Sequence, residues 1–255
     1  MLQTVLYDGS FDGWLCAVFD VYDYKFGNAE IVTEARFRGN LFGAAHTVRN
    51  DARHSARVWK GLEAKLSGDA LKDVYRTFLS EADGAETVLL QYVQHVFAHT
   101  TSVETDFSHP AVLYVTQMGR KVWREQHRME AFVRFQRTGD GLYYGFIEPD
   151  HDVLPLIAPH FTSRYADQRW LIYDGRRRYG LYYDGERTET VELRFDEAVG
   201  GGRAASPVYD PSEELYQQAW KQYFKSVNIP ARKNSKLHLQ HLPRRYWKYL
   251  TEKQG

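Results

Sequence analysis

The sequence predicts an α+β protein: a small N-terminal β-α-β start, a helical middle, a β-β-α-β-β antiparallel sheet unit and C-terminal helices. Three observations carry that expectation. A short apolar run opens the chain before a glycine turn, apolar residues recur at helical spacing between about 52 and 100, and the period falls to two after about residue 130. With 255 residues, 43% hydrophobic and 26% charged, the chain can bury a full core as one large domain or two small ones. The pattern divides it into a mixed and helical region, 1–105, and an α+β domain, 106–255.

Gln3-Thr4-Val5-Leu6-Tyr7 reads as a buried strand that ends in the turn Asp8-Gly9-Ser10. Phe11, Trp14, Leu15, Val18, Phe19 and Tyr22 then follow 3.6-residue spacing, with Ser10 as N-cap. A second strand is expected near 29–33. In the middle, Val58, Leu62 and Leu66 mark one helix, Leu71 to Leu79 a second and Val88 to Phe97 a third, with Gly68-Asp69 and Asp83-Gly84 as breaks. A further helix is expected over 110–125, begun by Pro110.

The alternation of Glu130 to Gln136 predicts a strand, turned by Thr138-Gly139-Asp140-Gly141 into Leu142 to Ile147. Pro159 suits the first turn of a short helix, and a second hairpin joins 170–173 to 179–183 through Asp174-Gly175 and three arginines. Another strand is expected near 191–195. Gly200-Gly201-Gly202 reads as a linker, followed by helices over 212–227 and near 244–250.

Composition narrows the function. A single cysteine, Cys16, excludes an internal disulfide framework and a Cys-rich zinc site. No apolar run approaches the roughly 20 residues of a membrane span, and the N-terminus lacks a signal-peptide pattern, so a cytoplasmic protein is expected. The 33 basic and 33 acidic residues cancel in sum but not along the chain. Between Leu215 and Thr251 there is no Asp or Glu, while Lys221, Lys225, Arg232, Lys233, Lys236, Arg244, Arg245 and Lys248 fall there with His238 and His241. Such asymmetry points to an anionic partner.

In Arg244-Arg245-Tyr246-Trp247-Lys248-Tyr249 cations alternate with rings. Cations neutralise phosphates and release counterions, and rings stack on unpaired bases. Lys221, Lys225, Arg232, Arg244, Arg245, Trp247 and Lys248 are therefore candidate nucleic-acid contacts, against the plainer alternative of a solvated face. Arg128 and Arg134 belong to a second cluster with Arg120, Lys121, Arg124 and His127, part of which an intrahelical pair such as Lys121 with Glu125 would explain. Arg176 and Arg177, in an exposed hairpin turn, either clamp a phosphate backbone or protect a sheet edge.

For catalysis the candidates are Asp8, Glu148, Asp152 and His160. Asp8 stands at a strand-turn-helix junction whose free N–H groups suit an anion, though a turn-former role beside the Ser10 cap accounts for it more simply. Glu148-Pro149-Asp150-His151-Asp152 gathers three carboxylates and an imidazole, suited to acid-base work. No dinucleotide fingerprint, Walker lysine or G-x-S-x-G elbow is present, and no metal-ligand spacing is recognised.

Several phrases carry a family resemblance: Leu6-Tyr7-Asp8-Gly9-Ser10-Phe11, Arg57-Val58-Trp59-Lys60-Gly61-Leu62, Glu125-Gln126-His127-Arg128-Met129, Asp152-Val153-Leu154-Pro155-Leu156-Ile157-Ala158-Pro159-His160-Phe161 and Pro243-Arg244-Arg245-Tyr246-Trp247-Lys248. The chain resembles the bacterial family of DNA metabolism proteins linked to a radical-SAM partner. Its C-terminal two-thirds is similar to a domain of unknown function that also occurs fused to uracil-DNA-glycosylase-like domains. The resemblance implies an accessory that binds DNA or RNA in DNA modification or repair, beside a radical-SAM protein. The alternative is an enzyme acting directly on nucleic acid through its carboxylates and His160. One cysteine cannot supply the thiolates of an iron-sulfur cluster, and the resemblance assigns no cofactor.

Overall fold

A computed structural model describes residues 2–39, 45–192, 242–250 and 253. The linker at 200–202, the helix expected over 212–227 and the candidates Lys221, Lys225 and Arg232 lie outside them. The chain has the expected α+β class and divides into two units, Met1–Trp123 and Arg124–Gly255. That division falls inside a helix, later in the chain than the 105/106 boundary expected.

In the first unit, β1 (Gln3–Tyr7) leads through Asp8-Gly9-Ser10 into α1 (Phe11–Asp23), and β2 (Ala29–Thr33) returns parallel to β1. Ser10 caps α1 by accepting from the Gly13 N–H at 2.9 Å, as its position predicts. Gly9 sits at φ 92°, a conformation that favours glycine. β3 (Ala45–Thr47), which the sequence reading missed, pairs parallel on the other side of β1, giving the order β2-β1-β3. Three residues are too short a run to show a period.

α2 (Ala52–Glu63), α3 (Gly68–Phe78) and α4 (Ala85–Ala98) follow, but α2 ends before Leu66, and Gly68-Asp69, expected as a break, open α3 behind the Ser67 cap. α5 (Pro110–Phe132) supplies Ala111, Val112 and Val115 to the same core. Trp14, Val5, Leu62, Val74, Leu89 and Val93 are completely or almost completely buried there. Each large apolar side chain removed from water contributes about 1.5–3 kcal/mol, so this packing outweighs any single cap.

The second unit carries a five-stranded sheet ordered β4-β5-β6-β7-β8: β4 (Phe135–Arg137), β5 (Tyr143–Ile147), β6 (Trp170–Asp174), β7 (Tyr179–Tyr183) and β8 (Thr188–Val191). The sheet is mixed, which corrects the antiparallel unit expected. β4–β5, β6–β7 and β7–β8 are antiparallel hairpins, but β5 and β6 run parallel, Tyr143 opposite Trp170. The cause is α6 (Leu154–Arg164), which carries the chain back to the end from which β5 started. β6 is buried at all five positions, so a central strand covered on both faces reads as a continuous apolar run.

Two further expectations shift. The strand expected from Glu130 begins only at Phe135, because α5 continues to Phe132; Glu125, Met129 and Val133 form a buried stripe at four-residue spacing. α6 begins with Pro155 in its first turn and holds Pro159 inside, where its missing N–H leaves the Pro155 carbonyl without its usual helical donor. Of the strand expected at 191–195, the described part belongs to β8, and the rest lies outside the described residues. The C-terminal helix is a 3₁₀ helix, Arg244–Tyr249. Among the described residues no helix is long and apolar enough to cross a membrane.

Candidate functional site

In the second unit, the segment Glu148–Asp152 between β5 and α6 brings together six candidates: Glu148, Asp152, Arg176, Arg177, Arg245 and Lys248. Glu125 of α5 is 2% exposed and lies at its centre. Its carboxylate accepts from the backbone N–H groups of Asp150 at 2.9 Å and His151 at 2.8 Å. The same group accepts from the Tyr246 hydroxyl at 2.5 Å and the Arg245 guanidinium at 3.0 Å. A buried carboxylate keeps its charge only when so supplied with donors. The intrahelical pair of Lys121 with Glu125 does not form; Glu125 turns to these partners instead. Sequence reasoning missed its role because a helical Glu beside cations has the pattern of a surface residue.

The 3₁₀ helix brings two more contacts. Arg245 also ion-pairs with Asp150, and Lys248 and the Tyr249 hydroxyl both bond Glu148. Burial alone would raise the Glu148 carboxyl, but these two donors outweigh it and hold it below the ordinary value. From the β6–β7 turn, Arg177 donates to the Pro149 and Asp150 carbonyls at 3.2 and 3.0 Å and pairs with the fully buried Asp174 at 2.8 Å. Arg176 pairs with Asp150 at 3.3 Å. Burial raises Asp174 against the pull of Arg177. Tyr179 donates to Asp152 at 2.5 Å.

Three phenols thus each serve one carboxylate: Tyr246 with Glu125, Tyr249 with Glu148 and Tyr179 with Asp152. All three are pushed above the ordinary tyrosine range, first by burial and then by the adjacent negative charge, so they stay protonated donors at neutral pH. The alternation of rings and cations in Arg244–Tyr249 suggests base stacking, and it does not reveal that Tyr246 and Tyr249 each meet a carboxylate more than 100 residues away.

The four catalytic candidates separate. Asp8 lies in the first unit, where its carboxylate accepts from the Ser10 N–H at 2.9 Å, the Ser10 hydroxyl at 2.7 Å and Asn50 at 2.8 Å. Partial burial raises this carboxyl, yet those bonds hold it below its ordinary value. A Cβ at Gly13 would collide with Asp8, so the turn fits glycine. Glu148 and Asp152 share the β5–α6 segment but are engaged as described. His160, on α6, packs edge-on against Phe161, and no hydrogen bond or ion pair joins it to either carboxylate.

The nucleic-acid candidates separate too. Arg245 and Arg177 direct charge to the buried carboxylates of Glu125 and Asp174, and Lys248 and Arg176 pair with the more exposed Glu148 and Asp150. Arg134 donates to the Ala131 and Val133 carbonyls at 2.9 and 3.3 Å, closing the end of α5. Arg128 is half-buried on α5. Arg244 is exposed and lies over the Trp247 ring at 5.9 Å, whose indole N–H donates to the Leu242 carbonyl at 3.1 Å. Among the described residues no group of three or more His, Cys, Asp or Glu is placed to hold a metal ion.

No curated protein matches the chain, and no solved structure does. A family model described as a domain of unknown function, DUF4130, matches residues 83–252, taking in α4 to the 3₁₀ helix. On that match over most of its length, the chain belongs to the DUF4130 family.

Proposed function

We propose that the protein is a nucleic-acid-binding accessory in DNA modification or repair, acting beside a radical-SAM partner. One observation carries the reading: the stretch from Leu215 to Thr251 holds eight Lys and Arg and no Asp or Glu. On this reading its cations displace counterions from phosphates, and interleaved rings meet unpaired bases. Because Arg245 and Lys248 serve the internal cluster, phosphate contact falls to Arg244 and the other cations of the stretch. The radical-SAM partner and the link to repair rest on the family resemblance alone.

Binding of single-stranded and duplex DNA and RNA across a salt series tests the proposal. Each neutralised phosphate lowers the slope of log affinity against log salt by about 0.7–0.9, so a slope of about −3 or steeper is expected. Absence of binding, or a slope near zero, overturns it.

A further inference from the structure

We propose that His95, His99 and His109, gathered around Asp106, form a proton-operated latch on the connection between α4 and α5. The latch is closed while the His109 ring is neutral and released when that ring takes up a proton.

All four residues belong to the first unit: His95 on α4, His99 just past its end, and Asp106 and His109 in the connection that leads to Pro110 of α5. The His95 and His109 rings stack with centroids 4.0 Å apart and planes inclined by 19°. The His99 ring lies 4.5 Å from that of His95. His95 Nε2 donates to the Asp106 carboxylate at 3.0 Å, and His99 Nδ1 donates to the His95 carbonyl at 2.8 Å. His109 Nδ1 is buried and has no hydrogen-bond partner among the described residues. An open cleft of about 410 Å³, lined by Gln91, Gln94, His95 and His109, brings solvent to the imidazoles.

A neutral imidazole leaves one nitrogen as a lone pair, whereas an imidazolium carries an N–H at both. On His109 the N–H at Nδ1 would then be buried without an acceptor, beside two other rings able to carry charge. Burial, and after it charge on His95, hold His109 below the ordinary imidazole value; Asp106 opposes them and His99 adds to them. From α2 onward, Lys65 donates to the His99 carbonyl at 2.5 Å and brings a further positive charge to this end of α4. Glu104, the other carboxylate of the connection, is turned to the Ser67 N–H and hydroxyl. With Val103 also buried, that clasp pins the first half of the connection, so release concerns 105–109. The closed form excludes a proton that the open form accepts. Its protection is therefore complete above about pH 6.5, the ordinary imidazole value, and is lost as pH falls below it.

Amide exchange on the full chain, corrected for the chemical rate, tests the latch at His109 and Leu113, whose N–H groups bond the Asp106 and His109 carbonyls. One proton taken up on opening raises the open fraction by at most about tenfold per pH unit. Between pH 6.5 and 5.5 a rise of about threefold or more is expected at these two amides. His109→Phe keeps a ring against His95 but cannot take up a proton, and should abolish the rise. His109→Gln, neutral and smaller, should abolish it as well. A flat profile in the unaltered chain, or a rise that persists in either variant, overturns the latch.

Discussion

Each unit contains a buried, helix-borne glutamate with a tyrosine and an arginine beside it, and the two are built differently. Glu86, in the first turn of α4, faces the Tyr7 hydroxyl at a long 3.5 Å and Arg36 at 3.3 Å. Its position at a helix N-terminus also favours negative charge. Glu125 lies far along α5 without that advantage and instead takes four donors from two distant segments, 150–151 and 245–246. Glu86 is a local solution to burying a charge. Glu125 is a joint: its carboxylate fixes where the β5–α6 segment and the 3₁₀ helix meet within the second unit.

The largest expected effect separates the two glutamates. Glu125→Ala leaves the backbone N–H groups of Asp150 and His151 without an acceptor, and its cost should reach about 3–5 kcal/mol. Glu86→Ala, losing longer bonds and a half-exposed arginine, should cost about 1 kcal/mol. Urea unfolding gives the totals, and amide exchange in β6 and β1 assigns them to the second and first units. Equal costs would break the comparison.

A smaller contrast lies in the phenols. Tyr246→Phe removes a 2.5 Å bond to a buried carboxylate and should cost about 1.5–3 kcal/mol. Tyr7→Phe removes a 3.5 Å contact and should cost about 0.5 kcal/mol. The same unfolding series reads both, and a larger loss for Tyr7→Phe would contradict the geometry.

The smallest effect is a pH dependence confined to the second unit. Glu148 is held below its ordinary value, so its contribution is present above the unfolded carboxylate value near 4.3 and disappears as pH falls through the lower folded value. Glu148→Gln should flatten the stability profile between about pH 5 and 3, and Lys248→Ala should flatten it in part. Because the Lys248 pair is largely solvated, its share should stay below about 1 kcal/mol. An unchanged profile in Glu148→Gln would show that the carboxylate does not hold the 3₁₀ helix.

Much of the fold is legible in the sequence because its signals are local. Ser10 announces the start of α1 through a bond three residues away, and the spacing of Val58 and Leu62 marks the buried face of α2 whatever packs on it. The candidate site was legible by location, since Glu148 to Asp152 and Arg244 to Lys248 were both singled out, but not by partnership. Arg245 reads as a free cation until Glu125 and Asp150 are placed beside it. The parallel pairing of β5 with β6 was hidden for a related reason: period-two alternation marks strands but carries no direction.

By itself the sequence determined the α+β class, the helical middle, the Ser10 cap and the segregation of charge, because each is a property of residues near one another along the chain. Only the tertiary structure decided which carboxylates meet which cations, and so which charges remain for a partner. An ion pair depends on separation in space, and more than 100 residues of chain separate Glu125 from Arg245.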